Sequence, residues 1–408
     1  MSRPEHGAGP SGAWRDVLAT LALVAAWLAA TAWLRPLMVP DEGRYAGVAW
    51  EMVRSGDWLT PTLNGLPFFH KPPLFYWLSG AALSLFGLVE IAGRAASLCG
   101  ATLGSMALYL FTRHWCGQAA ARRTLWVLLL QPLLFIGGQF ANLDMLVAGC
   151  ITATVLALAH AALRFEQGQP HRRALWLGYA LAGLGVLAKG LIGFVIPALT
   201  LGLWLLLRWR WRTLWALLSL PGAAIFLLVA APWYVAMQMR FDDFLHYFFV
   251  VQHFQRFSVG GFNNVMPVWF YPAVLALLSL PSLVWCPHLL DRGYWAGAFG
   301  PRATQQGAVR LLMLVAVGSV LLFFSIPKSK LVGYVLPAVA PLAWLLADAS
   351  QRLATTPGRR RAWAGSVACG GLLALAVVGW LTLHQDYSLR GLGQTLRVEH
   401  QADEPVYM

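Results

Sequence analysis

The sequence predicts an all-α fold, a polytopic transmembrane helical bundle of about 11–13 membrane helices with an external first loop that carries interfacial helices. Three observations predict it. Of 408 residues, 58% are hydrophobic and 12% charged, against roughly 45–50% and 25% in a soluble domain. Apolar runs of membrane-spanning length recur along the chain, at about 17–38, 74–89, 95–112, 124–138, 145–163, 174–188, 191–207, 213–236, 268–288, 309–326, 331–347 and 363–383. Arginine clusters stand two apolar runs apart: Arg113/Arg122/Arg123, Arg164/Arg172/Arg173, Arg208/Arg210/Arg212, Arg292/Arg302/Arg310 and Arg352/Arg359/Arg360/Arg361. That spacing puts all five on one side, which the positive-inside rule makes cytoplasmic.

The elements follow in order. Residues 1–16 are polar and rich in Gly and Pro, a cytoplasmic tail. The run 17–38 lacks a small-residue cleavage pattern and reads as a first membrane helix, not a removable leader. Residues 17–383 form the transmembrane domain, with external stretches at 39–94 and 237–267. Segment 95–112 must run inward to reach Arg113, so 74–89 has no room to cross. With Pro72-Pro73 before it and Tyr76 and Trp77 in its first turn, it is placed in the outer interface, leaving eleven crossings. Residues 384–408 return outside.

The formal charge of +13 is then accounted for by orientation. The cytoplasmic segments hold 18 basic and 5 acidic residues and the external ones 12 of each, so the excess calls for no nucleic acid. The cysteines Cys99, Cys116, Cys150, Cys286 and Cys369 show neither CxxC nor metal spacing and read as small core hydrophobes.

External carboxylates gather in the first loop. Asp41, Glu42 and Arg44 follow the first membrane helix directly, at a depth where charged groups need partners. Leu66-Pro67-Phe68-Phe69 then delivers Lys71 to headgroup depth. The chain uses 26 arginines but only four lysines, Lys71, Lys189, Lys328 and Lys330, all at external helix ends. Compact ammonium groups on one face suit a phosphate point charge. Asp144, alone between two apolar runs, reads as a functional or ion-paired acid, and Asn142-Leu143-Asp144 equally suits a helix N-cap. Segment 325–341 sets Tyr334 one turn beyond Lys330, which also fits an interfacial turn with an aromatic anchor. Residues 242–257 read chiefly as an amphipathic surface helix. Asp242 and His246 within it are a weak pair for a divalent metal, and no cofactor is assigned firmly. There is no GK[ST] phosphate loop, HExxH, GxSxG or GxGxxG, which argues against a nucleotide-driven pump.

The run Asp41-Glu42-Gly43-Arg44-Tyr45-Ala46, then Gly56-Asp57-Trp58 and Lys71-Pro72-Pro73-Leu74 before Tyr76-Trp77, resembles the polyprenyl-phosphate-dependent GT-C glycosyltransferases. Within them it looks most like the 4-amino-4-deoxy-L-arabinose lipid A transferases and their protein-mannosyltransferase-like relatives. The likeness extends through Ala141-Asn142-Leu143-Asp144, Lys189-Gly190, His253-Phe254-Gln255-Arg256-Phe257 and Lys328-Ser329-Lys330-Leu331 with Tyr334. It implies a bacterial inner-membrane enzyme that, at the periplasmic face, moves a sugar with inversion from a polyprenyl-phosphate donor to a lipid A, glycan or protein acceptor. It carries the catalytic role to Asp41 and substrate binding to Arg44, Lys71, Asp144 and Tyr334. Glu42, Lys189, Arg256, Lys328 and Lys330 are added as substrate-binding candidates. The arabinose transferases resemble one another in a Glu before Lys-Pro, where this chain has His70, so the sugar and acceptor stay open. The ending Glu404-Pro405-Val406-Tyr407-Met408 looks like the opening strand of a C-terminal periplasmic region. The competing class is a transporter or flippase of a lipid-linked or anionic substrate, whose internal repeat the sequence does not show.

Overall fold

A computed structural model describes residues 10–255, 264–353 and 355–399. The helices sort by their two ends. At one end Asp16, near the start of α1 (Pro10–Ala29), accepts from Tyr109 Oη at 2.6 Å and pairs with Arg113 and Arg122 at 3.1 and 2.9 Å. These partners come from the finish of α5 (Ala95–Cys116) and the start of α6 (Gln118–Leu129). Glu166, closing α8 (Leu143–Glu166), pairs at 2.7 Å with Arg208 just after α10 (Ile192–Leu207). Asp348 takes Arg310 Nε and Tyr294 Oη, each at 2.7 Å. The predicted cytoplasmic arginines of these clusters thus share one face, hereafter the arginine face.

The opposite face holds Asp41, Asp144, Lys189 and Lys330. Between the two, α8 spans about 36 Å at 1.5 Å per residue, enough for a bilayer's hydrocarbon core. Its core packing is close because glycines face each other: a Cβ on Gly149 would lie 2.6 Å from the carbonyl carbon of Gly100 on α5. Small residues let such helix backbones approach.

By length and composition, six helices among the described residues can each cross a membrane. The pair formed by α6 and α7 (Pro132–Gly138), bent by 68°, makes a seventh. Between the two faces of the bundle run α1, α5, α6 with α7, α8, α9 (Arg172–Lys189), α10, α11 (Trp211–Leu217) with α12 (Leu220–Arg240), the stretch 270–295, α14 (Gln305–Ser325), α15 (Val339–Leu353) with the 3₁₀ segment before it, and α16 (Pro357–Leu383).

Several runs expected as single spans are broken, for local reasons. Pro132 opens α7, and Ser219 caps α12, its Oγ accepting from Gly222 N at 3.1 Å. The stretch 268–288 yields only α13 (Phe270–Leu278), followed by 3₁₀ turns at Ser282–Trp285, Pro287–Leu290 and Arg292–Trp295. Pro281 and Pro287 remove donors there and disfavour helix in the residues before them. Pro337 lies likewise in the 3₁₀ segment Val332–Ala338. Cys150 is a core residue as read, but Cys99 and Cys369 are exposed on the outside of the bundle, which corrects that reading.

The first loop carries α2 (Asp41–Ser55), a hairpin of β1 (Thr62–Leu63) and β2 (Leu66–Pro67), α3 (Leu74–Phe86) and the single turn α4 (Glu90–Gly93). Asn64 and Gly65 turn the hairpin with φ of 54° and 75°, the positive values a two-residue turn requires. Glu51 on α2 accepts from Asn64 N at 2.6 Å and fixes the turn. Helix α3 stays at this end: Trp77 Nε1 donates to Trp58 O at 2.6 Å and Ser79 Oγ to Gly93 O at 3.2 Å. Its apolar tip, Leu85 and Phe86, is exposed, as a helix lying in an interface requires. After α16 the chain forms α17 (Arg390–Glu399), a helix on the loop side, where Arg390 pairs with Glu90. Residues 404–408 lie outside the described residues.

Candidate active site

The site is assembled where α2 and α8 begin. Helix α2 places Asp41 and Glu42 in its first turn, with unsatisfied N–H groups and the positive end of the helix dipole beneath them. Consecutive residues on a helix point about 100° apart, and here they part company. Asp41 pairs with Arg44, three residues on, both side chains being 37% exposed. Arg44 also lies 5.1 Å over the Tyr45 ring, and its buried Nε finds no acceptor among the described residues.

Glu42 turns inward and is wholly buried. Its Oε1 accepts from Arg94 Nε at 2.8 Å and Ala141 N at 2.8 Å, and its Oε2 from Met38 N at 3.0 Å and Arg94 Nη2 at 3.1 Å. Arg35 closes the group against the same carboxylate. Burial pushes the Glu42 carboxyl up, but the Arg94 and Arg35 guanidinium groups outweigh it and hold it below the usual carboxylate range. No acceptor face is left for a ligand. Glu42, expected from sequence to bind substrate, is enclosed by protein.

Asp144 sits in the first turn of α8, whose Asn142 cap accepts from Asp144 N at 2.9 Å. Both sequence readings of this acid therefore coexist, because its carboxylate pairs with Lys189 at the end of α9. The Lys189 ammonium lies 4.3 Å from the centre of the Tyr334 ring. Asp144, Lys189 and Tyr334, far apart in sequence, form one cluster. A Cβ on Gly333 would come within 2.8 Å of Asp144 Cγ and 3.0 Å of its Cβ. Gly333→Ala is therefore expected to swing the carboxylate off Lys189 and slow turnover roughly tenfold, measured beside Gly318→Ala, whose added Cβ meets nothing within 4 Å.

Lys71 is half-buried at the foot of the hairpin. The loop before it is fastened by rings: Phe69 packs on Phe241 and Phe244 at 4.8 and 5.6 Å, and His70 on Phe68 and Tyr247 at 4.6 and 6.2 Å. Asp57 ties the same loop to α12 through Arg240 at 2.7 Å. Burial raises the Asp57 carboxyl, but the Leu59 and Thr60 N–H groups and Arg240 bring it below its ordinary value.

The two lysines of the 325–341 segment differ. Lys328 is exposed, whereas Lys330 is 3% exposed and donates to Met266 O at 3.0 Å and Pro327 O at 2.5 Å. Lys330 thus holds its loop instead of facing outward. Asp242 and His246 are both exposed at the start of a π-helical segment, His246–Gln255, and gather no third metal ligand among the described residues. Arg256 lies outside the described residues. Sequence reasoning missed Arg35 and Arg94. Their signal was available: each is a lone cation at the end of an apolar run, where a charge must be paired.

Residues 70–235 match the family model described as dolichyl-phosphate-mannose-protein mannosyltransferase. The chain is 40% identical over 319 residues to undecaprenyl phosphate-alpha-4-amino-4-deoxy-L-arabinose arabinosyl transferase 1 of Sodalis glossinidius, covering 77% of this chain and 55% of that protein. It is 34% identical over 366 residues to the corresponding transferase of Aeromonas salmonicida, covering 88% and 64%. It therefore spans between half and two thirds of the length of these curated relatives. The crystal structure of ArnT from Cupriavidus metallidurans bound to undecaprenyl phosphate superposes with a TM-score of 0.81 at 25% identity, over 98% of this chain and 83% of that one. An oligosaccharyltransferase of Archaeoglobus fulgidus shares the fold alone, with a TM-score of 0.60 at 16% identity over 95% and 57% of the two chains. Fold, family match and likenesses together give this chain the membrane GT-C fold and make it similar, over part of their length, to the 4-amino-4-deoxy-L-arabinose transferases.

Proposed function

We propose that the chain is an inverting membrane glycosyltransferase that takes a sugar from a polyprenyl-phosphate donor. The carrying observation is the pairing of two ion-paired acids, Asp41 with Arg44 and Asp144 with Lys189, at helix N-termini on one end of a membrane bundle. Cleavage of the bond between anomeric carbon and phosphate oxygen develops positive charge on the sugar and leaves a full charge on the phosphate. Cations at headgroup depth stabilise that leaving group. Lys71 and exposed Lys328 supply them, while Arg44, paired with Asp41, belongs to the acceptor side and keeps its buried Nε as a donor still to be satisfied. A carboxylate on the opposite side of the sugar deprotonates or orients the acceptor, and a single displacement needs only one such base. Asp41, 37% exposed, takes that role, with the ion pair of Asp144 and Lys189 against Tyr334 as the second acidic group of the site.

The likeness to undecaprenyl-phosphate arabinosyl transferases supports 4-amino-4-deoxy-L-arabinose or a related sugar as cargo and lipid A, a glycan or a protein as acceptor. Mass spectrometry of envelope lipids and glycans with and without the intact protein should show one sugar-sized mass difference. Identical spectra, together with no transfer from polyprenyl-phosphate sugars in vitro, would overturn the reading.

The site face is assigned to the periplasm and the arginine face to the cytoplasm of a bacterial inner membrane. In a cysteine-free background, Arg54→Cys at the end of α2 should label with an impermeant maleimide in intact cells, and Gln169→Cys between α8 and α9 should not. The reverse pattern inverts the topology.

A further inference from the structure

Glu42, Arg35 and Arg94 form a group that neither the proposed chemistry nor the lipid-facing surface uses. All three are nearly or wholly buried, and their sum is one uncompensated positive charge. Burying such charges costs more than an apolar packing of the same volume, so stability alone does not account for them. What the group does is join four chain segments at one carboxylate. Arg94, at the start of α5, donates to Ala32 O at 2.6 Å, Arg35 O at 2.9 Å and Pro36 O at 3.0 Å at the exit of α1. Arg35 donates to Gln139 O at 2.7 Å, and the Gln139 side chain returns to Leu28 O at 2.9 Å. Glu42 itself receives Ala141 N at 2.8 Å. Asp41 is the residue before Glu42, and Asp144 lies three residues beyond Ala141, held by the Asn142 cap.

We propose that Glu42, Arg35 and Arg94 are positioning residues that fix the separation of the two acidic groups of the site, Asp41 and Asp144, through the Ala141 N–H. The chemical role of the two acids rests on the glycosyl-transfer reading above. The spacing they are held at does not. Each carboxylate projects from the first turn of its own helix; Glu42 lies in the turn that carries Asp41 and holds Ala141, two residues before α8, so a shift of the group moves one acid against the other. A misplacement of about 1 Å costs on the order of 100-fold in rate.

The test compares wild type, Glu42→Gln, Arg94→Gln and the double variant, reading turnover and polyprenyl-phosphate affinity in nanodiscs. Glu42→Gln leaves two buried guanidinium groups facing an amide and should lose about 100-fold in turnover, with affinity changed less than about threefold. The double variant restores the wild-type net charge of the group and should recover about tenfold or more over Glu42→Gln, an interaction between neighbours that additivity would not give. Arg310→Gln, which breaks the buried pair with Asp348 on the arginine face, is the control for lost stability and should leave turnover within about threefold. A second arm needs no activity: in a cysteine-free background, spin labels on Arg54→Cys and Phe194→Cys, at the end of α2 and in the first turn of α10 five residues beyond Lys189, report how α2 sits against the helices that carry the Asp144–Lys189 pair. Their distance distribution should broaden with Glu42→Gln and not with Arg310→Gln. An unchanged distribution, no rescue in the double variant, or an equal turnover loss in Arg310→Gln at a matched Tm would each overturn the proposal. A wild-type protein that transfers no sugar from any donor would instead sink the glycosyl-transfer reading, and the spin labels would still decide whether the buried group sets the spacing.

Discussion

Asp41→Asn should reduce sugar transfer by about 1,000-fold while the protein inserts and elutes as wild type does. The substitution keeps the shape and removes the charge. Because the Asp41 side chain is 37% exposed and contacts Arg44 at the surface of the site, its loss leaves no buried charge uncompensated. A positioned general base is worth about 10²–10⁴ in rate, and the loss should fall in that window. Glu42, its neighbour, gives the contrast: the same change there acts on packing, since every Glu42 contact is with protein donors. Transfer from a polyprenyl-phosphate sugar by purified variant in nanodiscs decides the matter. Turnover within about fivefold of wild type would remove Asp41 from the catalytic role and pass it to Asp144.

Lys71→Ala should weaken binding of a short-chain polyprenyl phosphate by roughly 10- to 150-fold, the equivalent of about 1.5–3 kcal/mol for a charge-assisted contact partly removed from water. Lys71→Arg should recover only part of that affinity. A planar fork does not replace a compact ammonium in a loop whose flanking Phe69 and His70 are already packed on Phe241, Phe244 and Tyr247. Arg361→Ala, exposed near the start of α16 on the arginine face, should leave affinity unchanged. Direct titration of the three variants measures this. Equal affinity for wild type and Lys71→Ala would move the phosphate to Lys328, which is exposed, and not to Lys330, whose ammonium is already taken by two carbonyl groups.

How far the site could be read from sequence depended on what each residue had to do. Asp144 was legible because an acid between apolar runs must be paired and an Asn two residues before it is a capping signal. That its partner is Lys189 was not legible, since the two are 45 residues apart and meet only when α8 packs on α9. The lysine bias picked out one face correctly but treated its members as equivalent. Packing distinguishes them, placing Lys330 under a loop and Lys328 in the open.

The sequence by itself determined the all-α membrane fold and the sharing of one face by the arginine clusters. These follow from hydrophobic length and charge asymmetry, which are properties read along the chain. Only the tertiary structure decided where spans break, as at the 68° bend between α6 and α7, and which of two adjacent acids is buried. Asp41 and Glu42 are chemically alike and stand about 100° apart on one helix turn. Arg35, seven residues before Glu42, and Arg94, 52 residues beyond it, draw Glu42 inward and leave Asp41 outside. A buried charge is tolerated only where folding brings its counter-charges to it, and that meeting exists in three dimensions alone.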